Sequence, residues 1–203
     1  MTNLLHRNPP PAFPGMRIGL LGGSFNPAHD GHRHISVTAL KRLALHRVWW
    51  LLTPGNPLKR SDELADLGQR TARARAISAH PRIDVTDFEV GLASPYSFDT
   101  LRYLKRRFPG VHFVWIVGGD NLAQFHRWRE WRGIFKTLPI LIADRPDCRH
   151  AALASTAAMR FASAQRPESG AIRLPEMKPP VWTYLSMPLR DISSTELRQG
   201  TGR

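Results

Sequence analysis

Cysteine is nearly absent: the 203-residue chain has one, Cys148. A single thiol builds no internal disulfide framework, which excludes the stapled secreted scaffolds and points to a reducing cytoplasm. Long apolar runs are missing as well. No stretch reaches the roughly 18 residues of a membrane-spanning helix, so no membrane partner is expected. Residues 1–15 contain Pro9, Pro10, Pro11 and Pro14 but no apolar h-region. They read as a flexible Pro-rich tail and not as a signal peptide. Residues 16–203 then read as a single domain, large enough to bury a core without staples. Acidic residues are scarce, 16 against 29 Lys and Arg, for a formal net charge of +13. The basic residues are spread along the chain, with no run longer than Lys105-Arg106-Arg107. That spread argues against nucleic acid as the main partner, while a polyphosphate ligand suits the same positive field.

What is present is an alternation of strand and helix patterns. Arg17–Gly22 is a short apolar run ending in two glycines. Residues 30–45 carry Ile35, Ala39 and Leu43 at helical spacing. Val48–Thr53 reads as a buried strand cut off by Pro54-Gly55-Asn56-Pro57. Further helices are expected over 63–79, 98–108, 122–135 (in one or two pieces), 151–164 and 192–199. Further strands are expected over 83–88 (edge or half-buried), 111–117 (central), 138–143 and 181–187. Such alternation predicts βαβ units, hence an α/β fold: a Rossmann-like doubly wound parallel sheet with helices on both faces. Ligands of such sheets sit beyond the carboxyl ends of the strands. The loops after the strands are therefore where chemistry is sought.

The first of these loops is Gly22-Gly23-Ser24-Phe25-Asn26-Pro27-Ala28-His29-Asp30-Gly31-His32. Its glycines let backbone amides approach a ligand closely. It feeds a helix whose free N–H groups favour an anion. His29 and His32 are three residues apart, one helical turn, so both face the same point. The stretch is no G-x-G-x-x-G fingerprint and lacks a P-loop lysine. A zinc pair is the alternative, but no third ligand cluster is evident and a helix N-terminus suits an anion better. His34 and His46 read as surface or packing residues. Near the other end, Ser193 followed by Glu196 forms a capping-box pattern. The hydroxyls of Ser193, Ser194 and Thr195, with Arg198 one turn on, suit a second anion site.

The first loop resembles the H-x-G-H signature of the nucleotidyltransferase superfamily, in which the two histidines bind ATP phosphates. The segment Ile192-Ser193-Ser194-Thr195-Glu196-Leu197-Arg198 resembles the second signature, I-S-S-T-x-x-R. Within the superfamily the chain is most similar to bacterial nicotinate-nucleotide adenylyltransferases, from Arg17 to Arg198. Ser94-Pro95-Tyr96-Ser97-Phe98-Asp99-Thr100-Leu101 resembles that family's S-Y-T-x-D-T-L segment, which implies that Tyr96, Ser97 and Thr100 line a pyridine-nucleotide pocket. Gly118-Gly119-Asp120 resembles its G-x-D motif near the ATP ribose. Trp128 falls at a tryptophan that stacks on the nicotinate ring, and Arg145-Pro146 at its R-P segment. The family's P-P-H-K appears as Asn56-Pro57-Leu58-Lys59, so only the lysine is retained. Ser97 replaces a threonine, and Arg129 stands where an aromatic residue often follows the tryptophan.

The resemblance implies transfer of an adenylyl group from ATP to nicotinate mononucleotide, with Mg²⁺ carried largely by ATP oxygens and water and no protein metal site. His29, His32, Lys59 and Arg198 would act catalytically. Gly22, Gly23, Ser24, Phe25, Gly118, Asp120, Ser193, Ser194 and Thr195 would hold ATP. Lys59, Tyr96, Ser97, Thr100, Trp128 and Arg145 would hold the mononucleotide. Residue by residue, plainer readings exist. Trp128 also fits a core with Trp131 and Phe135, Asp120 also fits a helix cap, and Asp99 pairs or caps locally. Nicotinamide mononucleotide is the nearest alternative acceptor, and phosphopantetheine the next.

Overall fold

A computed structural model describes residues 8–55, 64–145 and 148–187. Seven strands form one sheet in the order β3-β2-β1-β4-β5-β7-β6, and every neighbouring pair is parallel. In chain order they are β1 (Arg17–Gly23), β2 (Arg47–Leu52), β3 (Ile83–Thr86), β4 (His112–Gly118), β5 (Ile140–Ala143), β6 (Gln165–Arg166) and β7 (Trp182–Leu185). The helices are α1 (Asp30–Arg42), α2 (Leu67–Ser78), α3 (Ser97–Arg107), α4 (Gly119–Ala123), α5 (Trp131–Thr137), α6 (Arg149–Leu153) and α7 (Thr156–Arg160).

Apart from the exposed edge strand β6, the strands bury residues on both faces, and their side chains alternate between two cores. Ile18 and Leu20 of β1, Trp49 and Leu51 of β2, and Phe113, Trp115 and Val117 of β4 face one side. There Leu101 and Leu104 of α3, Ile134 and Phe135 of α5, and Ala152 and Ala157 of α6 and α7 cover them. Leu21, Val48, Trp50, Val114 and Ile116 face the other side, against Ile35, Ala39 and Leu40 of α1 and Ala74 of α2. The sheet is thus doubly wound. From β1 the chain passes over one face to β2, whereas β4, on the other flank of β1, is reached by α3 over the opposite face. The topological switch falls between β1 and β4, where a crevice opens at their carboxyl ends.

Element boundaries depart from the sequence pattern where local chemistry intervenes. Helix α2 starts at Leu67, because the Asp66 carboxylate accepts from the amides of Gly68 and Gln69 at 2.8 and 3.2 Å. Strand β3 stops at Thr86, whose hydroxyl accepts from the Phe88 amide at 3.3 Å and opens a 3-10 turn over Phe88–Gly91. The region 122–135 divides into α4, a 3-10 turn over Phe125–Arg127, and α5, which begins after Glu130 in the left-handed region (φ 53°). The single helix expected over 151–164 is instead α6, α7 and a 3-10 turn. Ser155 makes the break by accepting from the Ala158 amide at 3.2 Å. Strand β6 and the 3-10 segment Glu168–Glu176 have no counterpart in the sequence reading. The helix expected over 192–199 lies outside the described residues. Gly15, at the end of the Pro-rich stretch, donates to the Gly110 carbonyl at 2.8 Å, and Ala12 and Met16 pack against the first core. Among the described residues no helix is long and apolar enough to cross a membrane.

Candidate active site

All strands of the parallel sheet open at the same carboxyl edge, and the loop after β1 is held there by several independent contacts. Gly22 has no room for a side chain: a Cβ there would lie 2.3 Å from the Trp115 ring. Phe25 adopts a left-handed backbone (φ 46°), sparsely populated for a bulky residue and kept here by burial of its ring. That ring stacks on Trp50, with centroids 5.0 Å apart, and meets His32 at 4.7 Å. Trp50 donates its indole N–H to Ser36 at 2.7 Å, and Ser36 donates to the His32 carbonyl at 2.8 Å. The start of α1 is therefore fixed from below.

The spacing of the two histidines has a structural cause beyond facing one point. His29 is the N-cap of α1 and His32 its N3 residue, and together they form a capping box. His29 Nδ1 accepts from the Gly31 amide at 3.1 Å, and His32 Nδ1 accepts from the His29 amide at 3.3 Å. The rings lie 3.9 Å apart, centroid to centroid. With both Nδ1 atoms accepting, each ring in its neutral form carries its proton on Nε2. Each imidazole is thereby a fixed N–H donor at a helix N-terminus. Part of the His32 ring meets solvent, but protein surrounds most of it. That desolvation pulls its pKa well below the ordinary 6.5, and His29 and Arg145 push in the same direction. His32 is therefore neutral at physiological pH while its surroundings hold no anion.

Arg70, on α2, binds this loop to its neighbour. Its guanidinium is buried and donates to the carbonyls of Ser24 (2.8 Å), Thr53 (2.9 Å) and Ala65 (2.9 Å). Ser24 belongs to the β1 loop, Thr53 to the end of β2, and Ala65 to the approach to α2. The Asn26 side chain adds a contact, accepting from the Ala65 amide at 3.3 Å. Sequence reasoning missed Arg70.

At the ends of β4 and β5 a second group forms. Asp120 faces Arg145, with Oδ1 and Nε 3.6 Å apart, and its carboxylate makes no side-chain cap for α4. Gly118 leaves the room this pair needs: a Cβ there would sit 2.4 Å from Asp120 Oδ1 and 3.4 Å from Arg145 Nε. Arg145 is close enough for its charge to bear on His32, which links this group to the β1 loop across the switch point. Asp144, beside it, accepts from the Tyr184 hydroxyl at 2.5 Å and from the Arg145 amide at 2.9 Å.

A third group gathers where α3 begins. Ser97 is the first residue of α3, and Tyr96 before it lies under the guanidinium of Arg129, 4.5 Å from the ring centroid. Trp128 is half-buried and stacked on Phe125 at 4.8 Å, so it is both part of the core wall and part of this surface. Thr100 is buried and donates to Glu89 at 2.8 Å. Burial raises the Glu89 pKa, and the Thr100 bond opposes that rise. Asp99 accepts from Ser94 at 2.6 Å. Lys59, Ser193, Ser194, Thr195 and Arg198 lie outside the described residues. Among the described residues no group of three or more His, Cys, Asp or Glu side chains could hold a metal ion.

Two imidazoles on a helix N-terminus at the switch point of a doubly wound sheet form an arrangement that can hold an anion such as a phosphate. Residues 20–200 match the cytidylyltransferase-like family. A Methylorubrum extorquens protein named as a probable nicotinate-nucleotide adenylyltransferase is 54% identical over 183 residues, covering 90% of this chain and 99% of that one. A Cereibacter sphaeroides protein of the same name is 50% identical over 188 residues, covering 93% of this chain and 98% of that one. The solved nicotinic acid mononucleotide adenylyltransferase of Plasmodium falciparum, complexed with NaAD, superposes with a TM-score of 0.69 at 18% identity, over 91% of this chain and 83% of that one. The chain is a nucleotidyltransferase of the cytidylyltransferase-like family and, within it, belongs to the nicotinate-nucleotide adenylyltransferase family.

Proposed function

We propose that the enzyme joins ATP and nicotinate mononucleotide into nicotinate adenine dinucleotide, releasing pyrophosphate, as a cytoplasmic step of NAD biosynthesis. The histidine capping box carries this reading, because with both Nδ1 atoms accepting from backbone amides, Nε2–H of each ring is the group that would donate to an anion at the carboxyl end of β1. The names of relatives at 50–54% identity support the choice of acceptor.

The nucleophile is a phosphate oxygen of the mononucleotide, already anionic at neutral pH. It attacks the α-phosphorus of ATP in line; the new O–P bond forms as the bond to the bridging oxygen breaks and pyrophosphate departs. No general base and no covalent enzyme intermediate enter. Catalysis is positioning and stabilisation of developing charge. His32 donates to the α-phosphate, and His29 donates to the α/β bridge and the leaving group. The amides of Ser24 and Phe25 hold phosphate oxygens, and the loop of Gly22 and Gly23 lets the triphosphate approach. Gly118 and Asp120 face the adenosine ribose. Tyr96, Ser97, Thr100, Trp128 and Arg145 line the mononucleotide pocket. Lys59 and the segment Ser193, Ser194, Thr195 and Arg198 complete the phosphate cradle on the strength of their sequence match. The triphosphate enters as its Mg²⁺ complex, with the ion on phosphate oxygens and water.

Pyrophosphate release from MgATP, with nicotinate and nicotinamide mononucleotides in parallel, tests the proposal. Fast release with the acid and much slower release with the amide is expected. Release with neither acceptor would refute the assignment and move attention to another phosphate-bearing acceptor.

A further inference from the structure

The acid and the amide of the pyridine ring differ by one negative charge, so a residue that separates them must meet that charge. Arg129 stands where such a residue is needed. It directly follows Trp128. Its guanidinium lies 4.5 Å from the centroid of the Tyr96 ring, an arrangement that holds a cation without neutralising it. Among the described residues no carboxylate pairs with Arg129. Its neighbour Glu130 is exposed, and its left-handed backbone starts α5 instead of continuing the preceding turn. The parallel topology puts the start of α3, with Tyr96, and the turn after β4, with Trp128, at the same carboxyl edge as the β1 loop. One surface thus combines a half-buried tryptophan, a tyrosine and a permanently charged fork.

We propose that Arg129 is the residue that selects the acid over the amide, by pairing its guanidinium with the carboxylate of the pyridine ring while Tyr96 holds the side chain in place. This rests on the reading that Tyr96 and Trp128 line the mononucleotide pocket. A carboxylate accepts two parallel N–H bonds from the fork, whereas a neutral carboxamide offers one uncharged acceptor and two N–H groups that oppose it. Because the contact forms with the ground state as well as with the transition state, it acts on KM more than on kcat.

The test compares wild type, Arg129→Gln and Arg129→Lys with both mononucleotides at saturating MgATP. For Arg129→Gln we expect KM for the acid to rise about tenfold or more. KM for the amide should stay within about twofold and kcat with the acid should change less than KM. Arg129→Lys keeps the charge and loses the fork, so it should retain an intermediate acid preference. An unchanged acid preference in Arg129→Gln, or equal losses on both mononucleotides, would overturn the role of Arg129 alone. Wild-type enzyme that turns over neither mononucleotide would instead overturn the reading of the pocket, and this proposal with it.

Discussion

Replacing Arg70 with methionine keeps the length of the side chain and removes every donor. In the folded protein three carbonyls, of Ser24, Thr53 and Ala65, then lose a partner at 2.8–2.9 Å. Hydrogen bonds to a charged group contribute about 1.5–3 kcal/mol each, but such values do not add. The carbonyls also lie on loops at the rim of the crevice, where water replaces part of the loss. The desolvated charge disappears as well, a compensation made real by the burial that lowers the Arg70 pKa. A net destabilisation of about 2–4 kcal/mol follows, or roughly 4–16 °C in Tm for a domain of this size. The chain stays folded, because domain stability is about 5–15 kcal/mol. The larger effect falls on the site. Ser24 is released from α2, and the amides of Ser24 and Phe25, which the proposed function assigns to phosphate oxygens, are no longer fixed. Since a displacement of about 1 Å can cost on the order of a hundredfold in rate, kcat/KM for ATP should fall at least tenfold. Thermal denaturation and initial rates of pyrophosphate release measure both effects, with Arg70→Lys expected between wild type and Arg70→Met. A variant with unchanged Tm and an unchanged ATP dependence would refute the idea that this guanidinium holds the phosphate loop.

His32→Ala removes one preorganised donor and one member of the capping box. Turnover should fall on the order of 10²–10³-fold, with stability lower by about 1 kcal/mol; near-wild-type turnover in a folded variant would sink the mechanism. The lowered pKa of His32 also makes stability depend on pH. Between its folded value and the unfolded value of about 6.5, the unfolded chain binds more protons. Stability therefore falls as pH drops below about 6.5, by at most about 1.4 kcal/mol per pH unit from this residue. Melting curves from pH 7.5 to 5.5 should show a steeper acid loss in wild type than in His32→Gln, and parallel curves would contradict the burial argument. Saturating pyrophosphate should flatten the wild-type loss, because an anion at Nε2 favours the charged ring.

The parts of this site that were legible in the sequence are those whose meaning is local. His29 and His32 declare themselves by spacing within one turn, and the doubly wound sheet by apolar runs punctuated with Gly and Pro. The capping box that fixes their tautomers is also local, yet histidine is an unusual cap and its spacing suggests two side chains on one face first. Residues that act through remote partners left no such trace. Arg70 stands in a helix with Arg73 and Arg75, and only Arg70 of the three is buried. What distinguishes it is the placing of carbonyls from two other loops, which no pattern around residue 70 encodes. Asp120 was marked by the Gly118-Gly119-Asp120 pattern, but its pairing with an arginine 25 positions along the chain was not. The contact of Arg129 with Tyr96, 33 positions earlier in the chain, is equally remote in sequence. Strand β6 was invisible for a different reason: it is two exposed polar residues, Gln165 and Arg166, paired only with β7.

The chain's positive charge acquires a specific meaning from these three arginines. Arg70 donates to carbonyls, Arg129 meets a ring, and Arg145 meets Asp120 at 3.6 Å while still depressing the pKa of His32. A guanidinium that is held without being fully neutralised keeps its field available to a ligand. In the proposed reaction such held cations, at the carboxyl edge of the sheet, would let two polyanions approach each other closely enough to react. Mutual repulsion between a mononucleotide phosphate and a triphosphate opposes that approach, and in the proposed mechanism fixed cations lower it without a base or a covalent step. On this argument the turnover of Arg145→Gln should depend on salt less steeply than that of wild type, because screening acts on the charge that the substitution deletes. Initial rates between about 50 and 300 mM salt measure the slopes, and equal slopes would mean that Arg145 serves only to orient Asp120.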